Sequence, residues 1–263
     1  MKRKYPSTTS SKKDRSGILL PALAILVLLA VWQACCSAGL ISKFMLPSPV
    51  DVIRAFITDF PLLMLHARVT LVEAGAGLAC GIAVGFVTAL LMDRFDVVYQ
   101  ILYPLIVLTQ TVPAVAIAPL LVLWFGYEMT PKIVLIVVTT FFPIAVSLLD
   151  GFRSADKDTV NLLRSMGAGE LQIFRYVKFP GALSQFFASL RISVSYAIVG
   201  AVISEWLGGF NGLGVYMTRV KKSFSFDKMF AVIFLISGLS LLLMRGVDLL
   251  QKKVMPWKQD DLK

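Results

Sequence analysis

Charge is scarce in these 263 residues: only 16% are Asp, Glu, Lys or Arg, and there is a single histidine, His66. A lone histidine with no acidic cluster nearby argues against a metal or acid/base role for it. Three cysteines, Cys35, Cys36 and Cys80, lie inside apolar runs without metal-ligand spacing, which argues against a zinc site or a disulfide framework. No GxxxxGK[ST] phosphate loop occurs, so no nest of amides with a lysine is expected to hold ATP on this chain. Nor is there a nucleophile elbow, an HExxH or a CxxC pair. No catalytic residue, metal or cofactor is expected, and the chain is not read as an enzyme.

What is abundant is apolar surface: 57% of the residues are hydrophobic and the mean hydropathy is +0.77, far beyond a soluble domain of this length. A bilayer-spanning helix needs about 20 mainly apolar residues, and six stretches qualify: 17–37, 67–92, 101–125, 132–149, 188–207 and 229–250. The expected fold is all-α, a polytopic membrane helical bundle of about six transmembrane helices. The flanks 1–16, 93–99, 150–187 and 251–263 carry 16 Lys and Arg, against 8 on the opposite set. By the positive-inside rule both termini are cytoplasmic, despite Arg219, Lys221, Lys222 and Lys228 on the outer side. The basic residues Lys2, Arg3, Lys4, Lys12, Lys13 and Arg15 lead a first span expected to be retained, since no small-x-small cleavage site follows it. The net charge of +10 is divided among membrane flanks, so no nucleic-acid patch is formed.

Leu46-Pro47-Ser48-Pro49 breaks the chain after the first span, and Val50, Ile53, Phe56, Ile57 and Phe60 at helical spacing predict an amphipathic helix over 50–65, interfacial or packed on the bundle. His66 reads as an interfacial polar residue. Gly77, Gly81 and Gly85 put a small-residue stripe on the second span, for packing inside the bundle in preference to a second copy. Pro104, Pro113 and Pro119 kink the third span. Beside Pro113, the uncharged Thr109, Gln110 and Thr111 either line a solute path or bond back to their own helix. Among the few charges in or near spans (Glu73, Arg191, Glu205, Arg245 and Asp248), Glu205 stands out, because Trp206 and a turn with Gly208, Gly209, Gly212 and Gly214 follow it. It is a path or gate candidate, with interfacial anchoring as the alternative.

The polar interval 150–185 is longer than a connection between two spans requires and has room for two short helices. Within it, Gly167 precedes Val177 by ten residues and Pro180 by thirteen. This spacing resembles the EAA loop of bacterial ATP-binding-cassette importer permeases, E-A-A-x3-G-x9-I-x-L-P. Asn161, Leu162 and Leu163 stand where that pattern has Glu-Ala-Ala, while Val177 and Phe179 replace Ile and Leu. Further matches to the binding-protein-dependent subgroup for nitrate, taurine, alkanesulfonates and thiamine-precursor pyrimidines are LPSPVDV at 46–52, HARVTL at 66–71, VPAVAIAPLLVLWFG at 112–126, FFPIAVSLLDGFRS at 141–154, and Glu205 with Gly212-Leu213-Gly214.

The resemblance covers roughly residues 46–250, and with the hydropathy and charge pattern it gives an expected transmembrane permease domain over 17–250, a basic cytoplasmic tail over 1–16 and a second cytoplasmic tail over 251–263. It implies a lipid-embedded chain in the bacterial inner membrane, working with two copies of a separate ATP-hydrolysing subunit, an extracytoplasmic substrate-binding protein and a second permease, commonly another copy. Asn161, Leu162, Leu163, Arg164, Met166, Gly167, Ala168, Gly169 and Glu170 would form the coupling helix, followed by Pro180 opening the next helix. Leu162, Leu163, Met166 and Ala168 would supply apolar contacts, and Arg164 and Glu170 would set register by charge. The residues 204–231 look most like permeases for thiamine-precursor pyrimidines or riboflavin, with sulfonate, taurine or nitrate behind them. An ion-coupled secondary transporter is the alternative class.

Overall fold

In the computed structural model, residues 16–39 and 45–257 are described, and they form helices joined by short turns with no strand among them. The tail residues 1–15 and 258–263, including the six N-terminal basic residues, lie outside the described residues. In chain order the helices are α1 (Ser16–Ser37), α2 (Pro49–Thr58), α3 (Phe60–Arg94), α4 (Asp96–Thr109), α5 (Ala114–Phe125), α6 (Met129–Arg153), α7 (Lys157–Ser165), α8 (Glu170–Ile173), α9 (Phe179–Leu207), α10 (Leu213–Lys222) and α11 (Phe226–Val254). Five are long and apolar enough to cross a membrane, with α8 and α9 counted as one continuous run, and α4 with α5 makes a bent sixth.

The centre is α3, α6 and α9. Glycine sets how closely α3 and α6 approach: a Cβ on Gly77 would sit 2.5 Å from the Ile136 Cβ, one on Gly81 would run into Thr140, and one on Gly85 would meet Ile144 and the Phe141 carbonyl at 3.0 Å. In lipid, where tails are as apolar as leucine, such close backbone packing is a main source of helix association. The glycine stripe therefore packs within this bundle. α1 lies outside this core, with Leu19, Leu20, Leu26 and Leu28 all more than 60% exposed. It touches the rest through Trp32, whose ring stands 6.0 Å from Phe230 and 6.2 Å from Phe234.

Of three sequence expectations, one is corrected and two gain detail. The helix expected over 50–65 stops at Thr58; Asp59 breaks it and α3 begins at Phe60. Ser48 caps α2 by accepting the Asp51 N–H, and Pro49 opens it. The third span is two helices bent by 99° across residues 110–113. Pro113 has no N–H to continue α4, and it biases Val112 away from helical geometry. Pro180 stands in the first turn of α9, which begins at Phe179. It follows a π-helical turn, Phe174–Lys178, that joins α8 to α9 without interruption. There the Phe179 N–H reaches back to the Phe174 carbonyl, and this widened turn accommodates a proline that cannot bond to residue 176.

The two sets of flanks gather at opposite ends. At one end Asp59 meets Tyr216 and Lys228; at the other Asp93 meets Lys178, and Arg153 lies over the Tyr99 ring at 3.8 Å.

Candidate functional site

The polar interval folds as a capped elbow. Asp156 starts α7 by accepting the Asp158 and Thr159 N–H groups at 3.2 and 3.1 Å. The Thr159 hydroxyl, also donating to it, and those two amides hold its carboxyl below the ordinary carboxylate range. The helix ends at Gly167, φ +85°. There Gly167 N–H donates to the Arg164 carbonyl and Ala168 N–H to that of Leu163, each at 2.9 Å. This paired 5→2 and 6→1 pattern is the Schellman stop, which favours a residue without a Cβ. Across the turn, Arg164 and Glu170 bond to each other at 2.8 Å; their charges set the geometry of the elbow itself. Gln172 accepts the Gly169 N–H at 2.8 Å and steadies the start of α8.

The coupling candidates do not all face the same way. Leu162 and Met166 are 61% and 74% exposed, and Asn161, Gly167 and Gly169 are exposed with them, while Leu163, Ala168 and Pro180 are half-buried. Leu171 at 79% and Tyr176 at 68% extend the exposed apolar surface. They form no spacing signature, so only the fold reveals them. Lys178 fastens the elbow to the end of α3 through Asp93 at 2.8 Å.

The second candidate region is the break between α4 and α5. Gln110 Nε2 lies 3.5 Å from the Val138 carbonyl, near the middle of the 25-residue α6, so the break sits at mid-depth. Thr109 and Thr111 donate their hydroxyls back to the Ile106 and Leu108 carbonyls, at 2.6 and 2.8 Å, yet both residues, Gln110 and Pro113 are exposed. Thr109, Gln110 and Pro113 line a cavity of about 290 Å³ shared with Val138 and Thr139 of α6 and Tyr196 and Gly200 of α9. The back-bonded reading of the threonines therefore holds, and Thr109, though not Thr111, borders the cavity.

Glu205 is not in that cavity. It is 2% exposed and ties down the glycine turn that precedes α10. Three successive amides there meet three side chains: Gly212 N–H donates to His66 Nδ1 at 3.0 Å, Leu213 N–H to Thr70 Oγ1 at 2.9 Å, and Gly214 N–H to Glu205 Oε2 at 2.6 Å. Thr70 in turn donates to Glu205 Oε1 at 2.7 Å. Gly212 has φ +129°, and a Cβ there would strike the Glu205 carboxylate. His66, read from the sequence as interfacial, is buried and belongs to this latch. One turn further along α3, Glu73 pairs with Lys132 of α6, both buried. Lys132 carries no signal in the sequence beyond lying at the edge of an apolar run.

Comparison with known proteins follows the same lines. The family described as "Binding-protein-dependent transport system inner membrane component" matches residues 81–256, about two-thirds of the chain. The chain belongs to this family. It is thus a multi-pass permease of the bacterial inner membrane, of the ATP-binding-cassette importer type. Among its relatives, the formylaminopyrimidine transport permease protein ThiX of Halalkalibacterium halodurans is 37% identical over 92% of this chain and 96% of its own length. The taurine transport system permease protein TauC of Escherichia coli is 31% identical over 88% of this chain and 86% of its own. In fold, the permease resembles a chain of the MetNI methionine ABC transporter in an inward-facing conformation, with TM-score 0.63 at 18% identity, covering 73% of this chain and 96% of that one.

Proposed function

We propose that this permease is one half of the membrane path of an importer, driven through the α7–α8 elbow by a separate ATPase. The observation that carries it is the elbow: a rigid, doubly capped turn that exposes Leu162 and Met166 to solvent at the end of the bundle where Lys178 and Arg153 gather. A lever must be stiff to transmit motion and must offer surface to be pushed. Two ATPase copies, an extracytoplasmic binding protein and a second permease, a further copy of this chain, complete the machine, with both termini in the cytoplasm. Coupling rests on Asn161, Leu162, Leu163, Arg164, Met166, Gly167, Ala168, Gly169 and Glu170. The path runs past Thr109, Gln110, Thr111 and Pro113, because irregular backbone at membrane depth is tolerated only against protein or a water-filled passage. Glu205 serves the path indirectly, as the anchor of α10.

The cargo is a small organic solute, a thiamine-precursor pyrimidine or riboflavin-like compound ahead of sulfonate, taurine or nitrate. The 37% identity with ThiX supports the pyrimidine within this set. Copurification tests the whole reading. A tagged chain co-expressed with an ATP-binding-cassette ATPase of the same genome retains that subunit, and Gly167→Lys releases it and abolishes ATP-dependent uptake. Retention of both in the variant overturns the coupling role.

A further inference from the structure

The cavity at the α4–α5 break carries an inference about what passes through it, and this inference rests on the path reading above. All twelve residues lining it are uncharged. Its walls are the break itself, Val138 and Thr139 of α6, and a stripe of α9 comprising Tyr196, Val199, Gly200 and Ile203, spaced i, i+3, i+4 and i+7 so that they share one helix face. The threonine hydroxyls at its edge already donate to carbonyls: Thr109 to Ile106 and Thr139 to Ile136. They offer acceptors to a solute. Donors come from the Gln110 amide and from the Ala114 N–H at the start of α5, which no side chain caps, while the Ala116 and Ile117 N–H groups already donate to the Pro113 carbonyl. Tyr196, 48% exposed, adds an aromatic ring.

We propose that this cavity selects an uncharged planar solute carrying both hydrogen-bond donors and acceptors, of the size of one substituted six-membered heteroaromatic ring, and discriminates against anions. Desolvating a full negative charge needs a paired cation or a dense donor set, and the wall supplies neither. An aromatic amide or aminoheterocycle needs only the scattered donors and acceptors present, with Tyr196 for stacking. At about 290 Å³ the cavity lies at the lower end of the range for ligand pockets, roughly 300–1,000 Å³, which suits a single ring better than a fused tricycle.

Cysteine accessibility tests this without knowing the cargo. Cys35, Cys36 and Cys80 are replaced by alanine, and single cysteines are introduced as Thr139→Cys, Tyr196→Cys and Val199→Cys, with Ser165→Cys on the exposed elbow as reference. The assembled transporter in detergent is treated with neutral methyl methanethiosulfonate or anionic sulfonatoethyl methanethiosulfonate. The neutral-to-anionic rate ratio at cavity positions exceeds that at Ser165→Cys by at least tenfold, and millimolar 4-amino-2-methylpyrimidine slows cavity labelling where taurine does not. Equal ratios at cavity and reference, or protection by taurine, overturn the selectivity while leaving the path intact. No labelling by either reagent at any of the three cavity positions, with Ser165→Cys labelled normally, overturns the path as well. Three cavity positions guard against one variant that fails to assemble.

Discussion

The latch over α10 and the elbow of α7–α8 are both built by capping backbone groups at a helix end, yet they are opposite in kind. In the elbow every cap comes from within a few residues: Asp156 on Thr159, Gly167 on Arg164, Gln172 on Gly169. In the latch the caps on Gly212 and Leu213 come from His66 and Thr70, more than 140 residues away, while the Glu205 beside them is pinned by that same Thr70. The elbow is exposed and keeps its shape locally, so on the proposed reading a partner pushes it as a unit with the helices to which it is tied. The latch is buried, and its groups have no water to turn to if a partner is removed. The proposed coupling uses both: one end that is handled and another whose turn is held fast.

The comparison breaks most severely at the buried end. Lys132→Met strands the Glu73 carboxylate, one oxygen of which already has no partner, and removing one member of a buried pair costs about 3–5 kcal/mol. Thermal unfolding in detergent should show this as a large loss, with Glu73→Leu added to Lys132→Met recovering most of it. If the single variant unfolds like the parent, the pair is not holding the bundle. Glu205→Ala belongs to the same class, leaving the buried Gly214 N–H unanswered at about 1–3 kcal/mol and the Thr70 hydroxyl with only the His66 carbonyl at 3.3 Å. Glu205→Gln, which keeps an oxygen acceptor, should unfold at a temperature between that of Glu205→Ala and the parent.

Gly81→Leu tests the closeness of α3 and α6, where Thr140 fills the space a side chain would need; overpacking costs about 1–3 kcal/mol. A stable, monodisperse Gly81→Leu protein would show that the helices can separate without harm. Gly167→Val is milder for the fold, since one residue in the left-handed region costs roughly 1–2 kcal/mol. Its larger effect should fall on ATPase retention and uptake. A variant that loses stability but keeps its ATPase would make the elbow a mere connector.

The smallest effects concern titration. Asp156 lies below the ordinary carboxylate range because its partners favour the charged form. Its cap is therefore fully present above the unfolded value and is lost only as the pH falls through the depressed folded one. Asp59 behaves in the same sense: burial raises it, but Lys228 and the Tyr216 hydroxyl outweigh burial and leave it lowered. Helicity and thermal stability should hold through mildly acidic pH and decline below the carboxylate range, and Asp59→Asn should remove part of that decline. A drop between pH 7 and 6 that follows these two residues would reverse the assigned direction.

Much of the elbow was legible in the sequence because its chemistry is local. The distance from Gly167 to Pro180 survives any tertiary arrangement, and a glycine that stops a helix does so by its own backbone freedom. Pro180 was legible in part: a proline signals a disturbed helix, but whether a start follows a loop or a π turn depends on what the neighbouring turn can absorb. The third span shows the same limit. Three prolines announced a bend, and only the packing of α5 against α6 made it 99°. Leu171 and Tyr176 were invisible as surface because apolar residues in a membrane protein are unremarkable until the fold leaves them facing water.

By itself the sequence determined that this chain crosses a membrane several times, that it holds no phosphate loop, and that a polar elbow with a set glycine spacing lies between two spans. Hydropathy and short-range spacing settle these, since each depends only on residues within a turn or a span of one another. Tertiary structure alone decided that His66, Thr70 and Glu205 hold one turn, that Lys132 answers Glu73, and that Thr109 and Gln110 face Tyr196 across a cavity. Those pairings depend on which faces of α3, α6 and α9 meet, and close glycine contacts, not hydrophobicity, choose the faces where every face is apolar.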